Sequence, residues 1–252
     1  MRLNVVPPRT GVQWLKSGMR TFWRQPLAMS GLFFMFMAAM SVAGMVPYLG
    51  SALALAVLPG ATLGLMAASR EAESGKFPMP TILISAFKAG RAQGQAMLKL
   101  GALYAAGFLL IMAVTAVIDG GQFARLYLVG GNLSMDKLQT PEFQTAAWVA
   151  MALYLPLSMM FWHAPALVHW HGVSPLKSLF FSWMACWRNI GAYLVYMVSW
   201  FAVFMLAASV LMLLSSLLDT SLFGMLVLPL MLLMGSMFFN SFYATFRDSF
   251  TD

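Results

Sequence analysis

Six long apolar runs alternate along this chain with short segments in which apolar and basic residues fall on opposite helix faces. The runs cover about 26–46, 51–69, 97–118, 145–168, 191–218 and 222–246. They hold 19 to 28 residues, enough for a helix to cross some 30 Å of hydrocarbon, which takes about 20. The pattern predicts an all-α polytopic membrane bundle of six transmembrane helices.

The segment 174–189 shows the second element most clearly. On a helix, Leu176, Leu179, Phe180, Trp183, Cys186 and Trp187 share one side, and Lys177, Ser178, Ser182, Arg188 and Asn189 the other, with Phe181 as an intruder. Ser174 suits the N-cap and Pro175 the first helical position. A short helix of this kind beside a span is expected to lie in the membrane interface. Residues 10–24 repeat the device, with Thr10 as the expected cap. Val12, Trp14, Leu15, Met19, Phe22 and Trp23 lie opposite Gln13, Lys16, Arg20 and Arg24. Interfacial placement is the expectation here, and packing against the bundle is its alternative. A third copy is expected over 81–95, where Ile82, Leu83, Ala86, Phe87 and Gly90 oppose Lys88, Arg91 and Gln95, with Ile84 out of place.

Aligned on Arg24, Arg91 and Arg188, the three segments match at several offsets, and each precedes two apolar runs. The chain therefore reads as one membrane domain, 1–252, made of three pseudo-repeats of amphipathic helix plus hairpin, about 10–70, 80–170 and 174–248. The second run of every unit contains proline: Pro59, Pro156 with Pro165, and Pro229. These residues predict either close packing through small neighbours such as Gly60 and Gly64, or a break lining a cavity. The turns at Pro47–Gly50 and Asp219-Thr220 are short. The long loop 119–142 is expected to carry one or two short helices on the membrane surface, with a lid as the sharper alternative.

Composition and charge sharpen the picture. Apolar residues make up 61% of the chain and charged residues 9%, against roughly 25% charged in soluble domains. Fifteen Lys and Arg face eight Asp and Glu. The cations flank the apolar runs, so they read as topology and lipid contacts and not as a nucleic-acid footprint. All but Arg125 and Lys137 lie on the side of the two termini. The positive-inside rule places that side, with both termini and all three amphipathic helices, in the cytoplasm.

Reaction chemistry is sparse. No acid or base occupies the middle of an apolar run, which argues against an ion-coupled transporter. His163, His169 and His171 are spaced too irregularly to share a helix face, and packed or interfacial roles outweigh a metal site. The 23 methionines suit adaptable packing better than a copper path. The single cysteine, Cys186, rules out an intramolecular disulfide and reads as a buried inert thiol. Asn240 reads as an interhelical hydrogen-bonding residue. No catalytic residue, cofactor or metal is assigned. Arg24, Arg91 and Arg188 stand as candidate lipid-phosphate contacts, each at the expected end of an amphipathic helix, with topological anchoring as their plainer role.

The segments Leu176-Lys177-Ser178-Leu179-Phe180-Phe181-Ser182, Cys186-Trp187-Arg188-Asn189 and Tyr243-Ala244-Thr245-Phe246-Arg247-Asp248, with Gly11 and Trp14 near the N-terminus, resemble a family of uncharacterised six-span inner-membrane proteins of proteobacteria. That resemblance implies a multi-pass bacterial inner-membrane location and no known activity. The helix-plus-hairpin units also resemble, more loosely, the membrane domain of some bacterial glycerophosphodiester phosphodiesterases. The soluble phosphodiesterase domain has no counterpart here, so the activity is not carried over. The expectation is a non-enzymatic scaffold, accessory or lipid-interacting module, with membrane lipid and a membrane-protein partner as its contacts. The alternative is a transporter or channel for a neutral or amphiphilic solute.

Overall fold

Every apolar run becomes a helix, and the interruptions between helices occur where a backbone hydrogen bond is lost. The computed structural model describes residues 2–46, 49–130, 134–215 and 220–251. The predicted turns at Pro47–Gly50 and Asp219-Thr220 lie wholly or partly outside these residues. In chain order, strand β1 (Arg2–Leu3) precedes α1 (Thr10–Arg24), α2 (Pro26–Gly44) and α3 (Gly50–Glu73). A 3-10 turn (Pro80–Ile84) and α4 (Ser85–Lys88) lead into α5 (Arg91–Asp119), α6 (Gln122–Leu128), α7 (Met135–Leu138), α8 (Pro141–Trp162) and α9 (Ala164–His171). Then come α10 (Pro175–Arg188), α11 (Ile190–Ser215), α12 (Thr220–Asn240), α13 (Phe242–Ser249) and β2 (Phe250–Thr251). Among the described residues, six helical stretches are long and apolar enough to cross a membrane, the fourth joining α8 to α9 and the sixth α12 to α13.

The chain divides into two compact units. One comprises Met1–Met37, Ala61–Ala86 and Met184–Asp252, the other Ala38–Gly60 and Phe87–Trp183.

In the first unit α1 packs on α11, α12 and α13. Its apolar face is spent on protein, so the interfacial placement expected for residues 10–24 is overturned for most of that face. Trp14 is fully buried, its ring 5.1 Å from Tyr193 and 5.9 Å from Tyr196. Close approach depends on Gly11 and Gly18, seven residues apart and so on one face. A Cβ at Gly18 would meet the Ser241 side chain at 2.5 Å, and one at Gly11 would collide with the Ala192 carbonyl. Thr10 does not cap α1. The helix is started by the Pro7-Pro8 turn, whose carbonyls accept from the amides of Thr10 and Gly11. Ser69 donates to Asn240 Oδ1 at 3.2 Å, an interhelical bond of the kind expected for Asn240.

The ends of the chain meet in this unit. Arg2 pairs with Thr251 and Leu3 with Phe250 in an antiparallel ladder, so the N-terminal segment is more than the basic tail its composition suggests. Buried Asn189 fixes the next residues, accepting from the Val6 amide at 2.8 Å and donating to the Asn4 carbonyl at 3.0 Å.

In the second unit α5 packs on α8. Gly101 admits the Ala56 carbonyl where a Cβ would collide with it, as expected of small-residue packing. The break between α8 and α9 has a definite cause. His163 and Met159 are an i, i−4 pair, and the Ser182 hydroxyl inserts between them, accepting from the His163 amide (2.9 Å) and donating to the Met159 carbonyl (2.7 Å). The loop 119–142 does carry two short helices, α6 and α7. Asp119 caps the first, accepting from the amides of Gly121 (2.9 Å) and Phe123 (2.6 Å).

The expected helix over 81–95 is not one helix. Gly90, at φ +122°, separates α4 from α5, a conformation that favours glycine. Arg91 therefore begins a span instead of ending an amphipathic helix. The segment 174–189 forms α10 and begins at Pro175 as expected, and burial is mixed on both faces, with Cys186 buried and Lys177 and Arg188 exposed. Ser178, Ser182 and Asn189 are buried, while Leu176, Phe180 and Trp187 are 71%, 60% and 59% exposed. That apolar surface suits lipid.

Candidate functional site: a basic cavity at the chain ends

The exposed face of α1 carries Lys16, Arg20 and Arg24 at four-residue intervals. Each interval rises about 6 Å along the helix, which places the three cations in one stripe. The apolar stretch of α3 gives way at Ser69 and Arg70, yet the helix continues to Glu73, four residues into what composition marks as a loop. This extra turn carries a carboxylate back to α1. Glu73 Oε1 accepts from Ser17 Oγ (3.2 Å) and Thr21 Oγ1 (3.3 Å), and its backbone carbonyl accepts from Arg24 Nη1 (3.0 Å).

The last helix completes the site. Arg247 Nη1 pairs with Glu73 Oε2 at 2.7 Å, and its Nε with Asp248 Oδ1 at 2.9 Å. Asp248 Oδ2 accepts from the Trp14 indole at 3.0 Å, tying the site to the buried core of α1. Together α1, α3 and α13 enclose a cavity of about 440 Å³, with Gln13 completing the lining. Four cations and two carboxylates face it. Both carboxylates are engaged by Arg247, and no carboxylate among the described residues pairs with Lys16 or Arg20. The cavity thus keeps two formal positive charges in excess. Guanidinium and ammonium donors are groups that can satisfy phosphate or carboxylate oxygens.

A probable inner membrane protein of Burkholderia thailandensis is 41% identical over 254 residues, spanning 99% of this chain and 94% of its own length. The chain belongs to its family. No family model matches the chain, and no solved structure is significantly similar to it. That relative's inner-membrane name agrees with the six apolar helices, and the protein is a multi-helix inner-membrane protein.

The three arginines singled out by sequence have different placements. Arg24 lines the cavity. Arg188 is exposed at the end of α10 and is not among the lining residues. Arg91 is exposed at the start of α5, in the other unit. Lys16 and Arg20 were legible as the polar face of α1. Glu73, Arg247 and Asp248 were not legible as a site, because their partners stand up to 234 residues away. His163 is buried at the α8–α9 break, and His169 and His171 lie in the last turn of α9. Cys186 is buried, and burial pushes its thiol up to about 12, opposed by a smaller contribution from a Tyr193 hydrogen bond. Such a thiol is neutral and unreactive near neutral pH.

Proposed function

We propose that this protein is a non-enzymatic inner-membrane module that holds anionic lipid headgroups at the cytoplasmic surface, acting as a lipid-interacting scaffold or accessory subunit. One observation carries the reading: the α1–α3–α13 cavity keeps unbalanced positive charge at the end of the spans where both termini lie. The distribution of Lys and Arg supports a cytoplasmic position for that end. Trp23, 63% exposed beside Arg24, is the residue type that favours headgroup depth. A neutral solute would give the cations nothing to balance, so the transport alternative draws no support from this site.

The test is native mass spectrometry of the gently extracted protein with identification of retained lipid. Retained anionic lipid that is lost in the Lys16→Gln, Arg20→Gln, Arg24→Gln triple variant is the expected result. Retention unchanged in that variant overturns the reading. Fusion of a fluorescent protein or alkaline phosphatase to the C-terminus tests the topology. Fluorescence without phosphatase activity is expected, and the converse refutes the cytoplasmic assignment.

A further inference from the structure

We infer that the ligand of this cavity is a phosphate monoester, the dianionic terminal phosphate of a phosphatidate-type lipid or of a small soluble ester. The inference rests on the anion-binding reading above and narrows it. The balance of charge points this way. Glu73 and Asp248 already have their oxygens engaged by Ser17, Thr21, Arg247 and Trp14. The uncommitted charge therefore comes from α1, where Lys16 and Arg20 have no carboxylate partner among the described residues and Arg24 is held only by a backbone carbonyl. Two excess positive charges match one monoester carrying close to two negative charges at neutral pH. A phosphodiester headgroup carries one negative charge and would leave the cavity half balanced.

Shape agrees with charge. Donors four residues apart along α1 present successive cations to one side of the space, and a monoester offers three terminal oxygens to meet them. The volume of about 440 Å³ leaves room for a phosphate with ordered water, each water taking about 30 Å³. Ser17 and Thr21 donate to one oxygen of Glu73 and Arg247 pairs with the other, so the one acidic group of α3 in the lining is already engaged on both oxygens.

The charge argument also gives a pH signature. The lining holds no histidine: α1 supplies Gln13, Ser17, Thr21 and the three cations, α3 supplies Glu73, and α13 supplies Arg247 and Asp248. Tyr243 and Arg70 lie within electrostatic reach of the α3–α13 groups. The second ionisation of a phosphate monoester falls near pH 6, and a diester has none. Preference for the monoester should therefore fade as pH falls from 7.5 to 5.5.

The full-length protein in phosphatidylcholine micelles containing equal phosphatidylglycerol and phosphatidate, read by native mass spectrometry, tests this. A parallel thermal-stability titration uses glycerol 3-phosphate and inorganic phosphate. Phosphatidate adducts about tenfold over phosphatidylglycerol at pH 7.5, falling toward parity at pH 5.5 and lost in Lys16→Gln, Arg20→Gln, are the expected result. Both side chains are exposed, so this variant keeps the fold. Equal retention of both anionic lipids, abolished in the variant, overturns the monoester inference and leaves the lipid reading standing. Stabilisation by glycerol 3-phosphate without phosphatidate retention upholds the monoester and overturns the lipid reading. No preference for any anion over phosphatidylcholine overturns both.

Discussion

Replacing Glu73 with Gln should weaken the fold and strengthen anion binding at the same time. The two effects separate because Glu73 does two jobs. Its carboxylate pairs with Arg247 at 2.7 Å, with side chains 18% and 44% exposed, and accepts from Ser17 and Thr21. An ion pair this open to water contributes at most about 1 kcal/mol. The Gln carbonyl still accepts from the two hydroxyls, while its amide faces the Arg247 donor. A loss of about 1–2 kcal/mol is expected, or about 2–8 °C in Tm for a chain of this size. Meanwhile the excess charge of the cavity rises by one. A basic charge near an anionic surface is worth about 1 kcal/mol, which converts to about fivefold tighter binding. Thermal unfolding in detergent and titration with phosphatidylglycerol, read by native mass spectrometry, measure the two quantities on one preparation. The affinity gain should shrink as salt rises from 50 to 500 mM, because screening shortens the reach of the added charge. Binding that weakens together with Tm would show that Glu73 shapes the ligand contact instead of opposing it, and would refute the charge argument.

Other outcomes follow from the same geometry. Asn189→Ala removes the partners of the Val6 amide and the Asn4 carbonyl, at about 1–3 kcal/mol, and should speed trypsin cleavage at Arg9; an unchanged rate would show that Asn189 does not hold the N-terminal segment. Asn189→Asp keeps the acceptor for Val6 and loses the donor to Asn4, so its cleavage rate should fall between the two. Gly18→Leu should cost several kcal/mol by overpacking the α1–α12 contact, seen as reduced yield and lower Tm, and a wild-type Tm would contradict the packing described. Single Arg24→Gln should reduce anionic-lipid retention several-fold while Arg188→Gln leaves it near wild type; equal losses would argue for surface charge over a defined cavity. Cys186 should resist maleimide at pH 7.5 and react rapidly only after denaturation, since its thiolate is scarce below pH 12.

The spans were legible because a membrane helix needs only length and apolarity, and Pro175 marked the start of α10 as proline at the first turn commonly does. Periodicity on its own could not say what an amphipathic face meets. The same pattern put Trp14 against two tyrosines in α1 and left Phe180 and Trp187 outward in α10. Small polar residues turn one face of α10 inward: Ser178, Ser182 and the adjacent Asn189 bond to backbone, while Lys177 and Arg188, like Lys16 and Arg20 of α1, stay exposed. The break at His163 falls two residues before Pro165, one of the prolines that marked a possible break, but the serine 19 residues away that bonds the interrupted backbone was hidden. The break at Gly90 was hidden too, because helix-face counting treats that glycine as merely small. Glu73 lies beyond the apolar run that ends near residue 69, and its helical turn is held by contacts with α1 and α13 that sequence does not show.

The pairing of β1 with β2 has a consequence for how the molecule is made. The helix α1 leaves the ribosome well before its partners α11, α12 and α13, which begin only at Ile190. More than half the chain is translated between them, and at about 5–20 residues per second that interval lasts roughly ten to thirty seconds. During it Trp14 lacks Tyr193, Tyr196 and Asp248, the residues that bury its ring and bond its indole, and the first unit closes only after β2 is released.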